Sequence, residues 1–159
     1  GRVVSGFSSD QLAGLRNREI GFVFQAFPLL PQLSVLENAA LPALYARDRP
    51  TQECRTQARA RVEEMGLGDR LLHRPHELSI GQRQRVAIAR ALINHPRVLL
   101  ADEPTGALDS KTAHEILQVL IKLHRRGATI VLVTHSREVA SVAERVIHVR
   151  DGQIHDGLA

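Results

Sequence analysis

Residues 98–104, Val-Leu-Leu-Ala-Asp-Glu-Pro, constrain the fold more than any other stretch of the chain. Four apolar residues in succession lack the alternation of a half-solvated strand and fit a parallel strand buried on both faces. Downstream, a helical pattern from about Ser110 to Arg126 stops at Gly127, and Thr129-Ile130-Val131-Leu132-Val133 reads as another buried strand. Strand, helix, strand is a crossover unit, which places the chain in the α/β class. The first of these strands ends in two adjacent carboxylates, Asp102 and Glu103, at the edge where open α/β sheets bind their ligands.

Recognisable pieces surround this unit. Ser8 or Ser9 can cap a short helix through Arg16, and Ile20-Gly21-Phe22-Val23-Phe24 reads as a strand with Gln25 at its carboxyl end. Two prolines make 27–32 a loop. Ser34-Val35-Leu36-Glu37 is then a capping box, opening a helix towards Tyr45 that Pro42 should kink. A second helix spans about Gln52 to Met65, between Pro50 and the glycines 66 and 68, so that 34–94 is nearly all helical. Near the far end, Arg145–Val149 and Gln153–His155 flank Asp151-Gly152, a strong hairpin signal. Arg2-Val3-Val4 is strand-like, and an opening on Gly1 rather than Met reads as a chain cut from something longer.

Composition narrows the function. With 159 residues, 43% of them hydrophobic, the chain supports one compact core. Aromatics are 3% and Trp is absent, which argues against extended single-strand nucleic-acid binding by base stacking. The net charge of +4 comes from arginines scattered through helical stretches, with clusters at 55, 59, 61 and at 83, 85, 90. These read first as a solvated basic face and second as a nucleotide, nucleic-acid or membrane contact. Cys54 is the only cysteine, so no internal disulfide forms and a reducing compartment is expected. No apolar stretch approaches the roughly 20 residues of a membrane-spanning helix.

Four groups of residues carry the chemistry. Asp102 could hold Mg²⁺, directly or through water, while Glu103 polarises a water as general base; alternatively both are solvent-facing acids that cap the next helix. In Leu78-Ser79-Ile80-Gly81-Gln82-Arg83-Gln84, Ser79 and Gln82 form a capping box. The free amides of that helix start attract anions, and Gly81 permits close approach by a phosphate, unless the helix is merely well capped. His135, after the strand 129–133, could contact a terminal phosphate or orient the attacking water. Gln25 also stands at a strand end, and for both residues a structural role is the competing reading.

The order and spacing of Gln25, the 78–84 block, Asp102-Glu103, Gly106-Ala107-Leu108-Asp109 and His135 resemble the ATP-binding-cassette family over essentially the whole chain. Gln25 matches the family's Q-loop, 78–82 its signature, 98–103 its Walker B strand, 106–109 its D-loop and His135 its switch histidine. The resemblance implies a partial RecA-like P-loop NTPase core of parallel strands and flanking helices, with a helical subdomain and a carboxy-terminal β-hairpin. A single incomplete nucleotide-binding domain over 1–159 would then divide into a helical subdomain, 34–94, and a catalytic core, 1–33 with 95–159. The implied cofactors are ATP and Mg²⁺. Glu103 and His135 would be catalytic, and Gln25 and Asp102 would serve the metal. Gln25, Ser79, Gly81, Gln82 and Asp109 would bind nucleotide, with Ser79, Gly81 and Gln82 serving the nucleotide of a second cassette paired head to tail. The implied partners are that cassette and a transmembrane permease docked on 34–94, with no nucleic acid, at the inner face of the cell membrane. Residues 20–25, the Pro-containing loop and Glu37-Asn38 are most similar to the lipoprotein-releasing and macrolide-export branch.

Two departures stand out. Ile80 occupies a position where the family commonly has Gly. The pattern Gly-x-x-x-x-Gly-Lys-Ser/Thr, whose backbone cradles the α- and β-phosphates, occurs nowhere in 1–159, and it is expected upstream of Gly1 with the aromatic residue that stacks on adenine. A non-catalytic module that docks a permease or a complete cassette is therefore a competing reading. A DNA-repair or chromosome ATPase is disfavoured, because 25–78 holds no sustained heptad pattern.

Overall fold

Three parallel strands organise the computed structural model, which describes residues 3–26, 28–46 and 49–155. They are β1 (Ile20–Val23), β2 (Val98–Asp102) and β3 (Thr129–Val133), in spatial order β1-β2-β3. The register pairs Val23 with Ala101 and Asp102 with Val133, so all three carboxyl ends emerge along one edge.

The helices follow their local signals. Ser8 caps α1 (Ser9–Glu19) in a box with Gln11. Ser34 and Glu37 exchange hydrogen bonds at the start of α2 (Val35–Ala46), as the capping box predicts. That helix continues through Pro42, whose carbonyl accepts a bond from Asn17 Nδ2. Pro50 precedes α3 (Thr51–Glu64), and Gly66 follows it with a φ of 75°. Two short 3₁₀ turns, 68–70 and 75–77, lead to α4 (Ile80–Leu92). Asp109 caps α5 (Ser110–Arg125), the crossover between β2 and β3. Ser136 caps the single turn α6 (Arg137–Ala140). The hairpin is shorter than expected: β4 (His148–Arg150) pairs with β5 (Gln153–His155) across Asp151-Gly152, both with positive φ as a two-residue turn requires.

One hydrophobic core joins Val23, Leu99 and Ala101 of the sheet to Ile88 and Leu92 of α4, Ile116 and Leu120 of α5, and the small faces of α2 and α3. Burial of each Leu or Ile contributes about 1.5–3 kcal/mol, so this layer holds α4 and α5 against one face of the sheet. The other face departs from expectation. Strand β3 is not buried on both sides: Val131 and Val133 are 47% and 56% exposed. The helices of the core cluster cover the face bearing Leu99 and Ala101, and nothing comparable lies over Val131 and Val133 among the described residues. Val3 and Val4 belong to no strand, because no described strand pairs with them; Gly1, Arg2 and Phe27 lie outside the described residues.

Candidate active site

Glu103 is the most constrained residue at the carboxyl edge of the sheet. Its φ is 43°, a left-handed conformation that costs a non-glycine residue energy and persists only when its surroundings over-determine it. They do. Its N–H donates to the carbonyl of Val133 at 2.9 Å, and its carbonyl accepts from Gly106 at 3.1 Å. Its carboxylate Oε1 accepts from the backbone N–H of His135 and from His135 Nδ1, both at 2.7 Å, and Oε2 accepts from Thr134 Oγ1 at 3.2 Å. A carboxylate only accepts, so His135 Nδ1 is the donor in this bond. The Glu103 side chain is 16% exposed and that of His135 is 84% exposed, which makes a sheltered carboxylate under an accessible imidazole.

Gln25 and Asp102 join them on the same rim. Gln25 lies two residues beyond the end of β1, and Gly106 is small enough to admit it: a Cβ there would stand 3.0 Å from Gln25 Nε2 and 3.5 Å from Glu103 Cβ. Asp102, exposed, ends β2 beside Val133. No group of three or more His, Cys, Asp or Glu side chains forms a metal cage among the described residues.

The remaining predicted residues gather at the start of α4. Ser79 Oγ accepts from the Gln82 N–H at 3.2 Å and Gln82 Oε1 from the Ser79 N–H at 2.9 Å, closing the capping box. Ser79 and Ile80 are exposed, whereas Gly81 is buried against α5. Asp109 is exposed and caps α5 through Thr112; hydrogen bonds from the Thr112 side chain, then from its backbone, hold the Asp109 carboxyl below the usual range. The structure therefore sorts the candidates into a rim of Gln25, Asp102, Glu103 and His135 and a separate turn of Ser79, Gly81 and Gln82 beside Asp109.

A profile of the ABC transporter family matches residues 5–106. The chain belongs to the ABC transporter family. An ABC transporter ATP-binding protein of Thermotoga maritima is 53% identical over 97% of this cassette chain and 65% of its own length. The macrolide export ATP-binding/permease protein MacB of Brucella melitensis is 51% identical over 97% of this chain and 24% of its own length. Among solved structures, the dimeric post-hydrolysis ATP-binding cassette MJ0796 bound to ADP and Pi superposes with a TM-score of 0.81 at 44% identity, over 94% of this chain and 66% of its own. The cassette chain thus spans from about a quarter to about two thirds of the relatives it matches. No helix among its described residues is long and apolar enough to cross a membrane.

Several side chains around the cassette site carried no signal of their own in the sequence. Thr134 holds Glu103 from a strand end, where a Thr is unremarkable. Gln84, fully buried in α4, donates to the carbonyl of Pro104 at 2.7 Å and ties that helix to the loop after Glu103. Arg90 of α4 donates to the carbonyl of Pro28 at 2.7 Å, anchoring the loop after Gln25. Other clustered arginines are likewise engaged within the chain: Arg59 with Glu63, Arg61 with Glu64, and Arg85 with Glu115. The Arg59 and Arg61 pairs are local to one helix, whereas the distant partners of Gln84, Arg85 and Arg90 become visible only once the fold is known.

Proposed function

We propose that this chain forms the hydrolytic and signature-bearing part of an ABC ATPase that powers export or lipoprotein release through a membrane permease. The observation that carries the reading is the clamp on Glu103, a strained, sheltered carboxylate at the ligand-binding edge of a parallel sheet with an exposed His135 hydrogen-bonded to it. Glu103 is the general base that takes a proton from the attacking water. Residues 134 and 135 take three of the roughly four acceptor sites of this carboxylate, so Oε2 keeps one site for a water, and outward rotation of the exposed His135 ring would open another on Oε1.

The residues fit one side of an ATP site. Mg²⁺ prefers one or two hard oxygen ligands supplemented by phosphates and water over an all-protein cage, and the Asp102 carboxylate with the Gln25 amide offers that on the rim, where the described residues form no cage of three acids. Asp102 and Gln25 would hold the ion there beside a triphosphate, and it would supply neutralisation of the charge that develops on the transferred phosphoryl group. The cradle for the α- and β-phosphates does not fit anything in 1–159, since the Gly-x-x-x-x-Gly-Lys-Ser/Thr pattern is missing from this sequence. Ser79, Gly81 and Gln82 serve the nucleotide across the interface with a second cassette, and Asp109 also binds nucleotide. Residues 34–94 act as the helical subdomain that docks the permease, with 1–33 and 95–159 as core, and the assembly sits peripherally on the inner face of the cell membrane.

Residues 1–159 alone then bind MgATP weakly and turn over none. In a complete cassette carrying this segment behind a phosphate loop, Glu103→Gln keeps nucleotide affinity within about threefold and lowers kcat by at least ~100-fold, the scale of a lost general base. Calorimetric titration and steady-state phosphate release measure the two quantities, and normal turnover in that variant would remove Glu103 from the role. Tight MgATP binding by 1–159 itself would overturn the weak-binding expectation.

A further inference from the structure

We propose that Thr112 is a positioning residue that locks the turn 79–82 to Asp109, and that Gly81 lacks a side chain to make room for Thr112, which leaves its backbone N–H free for the nucleotide role proposed above. The two helix starts meet there. Gly81 is buried although its neighbours Ser79 and Ile80 are exposed, and a Cβ built on it would overlap the Thr112 Cγ2 methyl. Gly81 sits in the first turn of α4 without a positive φ, so nothing in its own backbone demands glycine. Ala is otherwise the better helix former.

Thr112 cannot simply turn away. Its Oγ1 donates to Asp109 Oδ2 at 2.6 Å, while its N–H donates to Asp109 Oδ1 at 3.0 Å. On a β-branched residue, fixing the hydroxyl fixes the methyl, and here the methyl is aimed at Gly81. One turn further along each helix, Arg85 Nη2 meets Glu115 Oε2 at 2.9 Å, and Arg85 Nη1 donates to the carbonyl of Met65 at 3.2 Å. The contact is therefore a two-rung seam, methyl on glycine and then an ion pair. Any shift of Asp109 is passed through Thr112 to the amides of the 79–82 turn. The consequence for turnover rests on the cassette reading above; the seam itself does not.

The test is a mutant set whose first readout needs no nucleotide. Urea unfolding of residues 1–159 should show a lowered midpoint for Gly81→Ala, the reverse of the usual effect of Ala in a helix. Thr112→Ser keeps the hydroxyl and removes the methyl, so Gly81→Ala combined with Thr112→Ser should unfold at or above the midpoint of Thr112→Ser alone. Thr112→Val keeps the methyl and should give no rescue. Additive midpoints, or equal rescue by Ser and Val, would overturn the seam. In the complete cassette, Gly81→Ala should lose at least ~10-fold in kcat, and adding Thr112→Ser should return it to within ~3-fold of Thr112→Ser alone. A loss that persists despite restored stability would overturn the positioning role, since it would place the added methyl against nucleotide. A parent cassette inactive in every form would refute the ATPase reading, while the unfolding midpoints would still decide for or against the seam.

Discussion

Asn38 shows what a single residue does for the site from a distance. It is fully buried in α2, its Oδ1 accepts from the Leu30 N–H at 2.8 Å, and its Nδ2 lies 3.0–3.1 Å from the carbonyls of Leu30, Leu33 and Ser34. One amide thus satisfies the backbone of the loop that follows Gln25, which has no ladder of its own. Replacing it with Ala orphans several buried polar groups, each costing about 1–3 kcal/mol. Asn38→Ala should therefore lose at least ~2 kcal/mol, a fall of roughly 4–8 °C in Tm for a chain of this size. Limited proteolysis should then cut within 28–33 before any other site; an unchanged melting curve would show that water replaces the amide. At this scale the sequence displayed the acids, the capping boxes and His135, because each follows a strand or precedes a helix at a telling position. It hid what Asn38, Thr112 and Thr134 hold: loop carbonyls for Asn38, the cap Asp109 for Thr112 and the distant Glu103 carboxylate for Thr134, none of which a distinctive spacing announces.

At the scale of elements, the distance between β1 and α4 is set by Gly21. A Cβ there would meet the Ala91 carbonyl oxygen at 2.5 Å, Leu99 Cδ1 at 2.9 Å and Pro96 Cγ at 3.1 Å. A side chain such as Leu99 can shift, whereas the backbone oxygen of a packed helix cannot without moving the helix. Gly21→Ala should consequently destabilise by about 1–3 kcal/mol as overpacking, despite the better strand propensity of Ala. Chemical denaturation reads the loss. Because α4 also carries Gln84 to Pro104 and Arg90 to Pro28, the same variant should broaden amide signals on both loops of the rim, which a purely local defect would leave sharp. Most helix limits were legible to within a residue or two, since Ser8, Ser34, Ser79, Asp109 and Gly66 announce them chemically, but α1 runs on to Glu19 rather than ending at Arg16, and the single turn α6 gave no sign. Burial on the second face of a strand was not, because an apolar run states which faces can be covered and is silent on what covers them.

For the molecule as a whole, that silence has a physical consequence. The register places Phe22, Leu100 and Val131 abreast on the face opposite Leu99. Phe24, 44% exposed, continues that face and stacks on Phe22 with ring centroids 5.8 Å apart. Val131 and Val133 add an edge that is about half exposed. Parallel sheets are ordinarily covered on both faces, and contiguous apolar patches on a protein surface drive association or are themselves interfaces. Among the described residues β3 is moreover an edge strand of its three-stranded sheet, with a row of backbone groups available for pairing. Residues 1–159 should therefore bind a hydrophobic dye in the folded state and sediment as larger species as concentration rises. Replacing Val131 and Val133 together with Thr preserves β-branching and strand propensity while making the exposed face polar. It should reduce both signals and leave the unfolding midpoint within the ±0.5 kcal/mol typical of surface changes. A dye-silent, concentration-independent monomer in the unsubstituted chain would mean that this face is closed in solution. The openness of β3 would then be the feature to abandon, while the rim built on Glu103, which rests on its own hydrogen bonds, would stand.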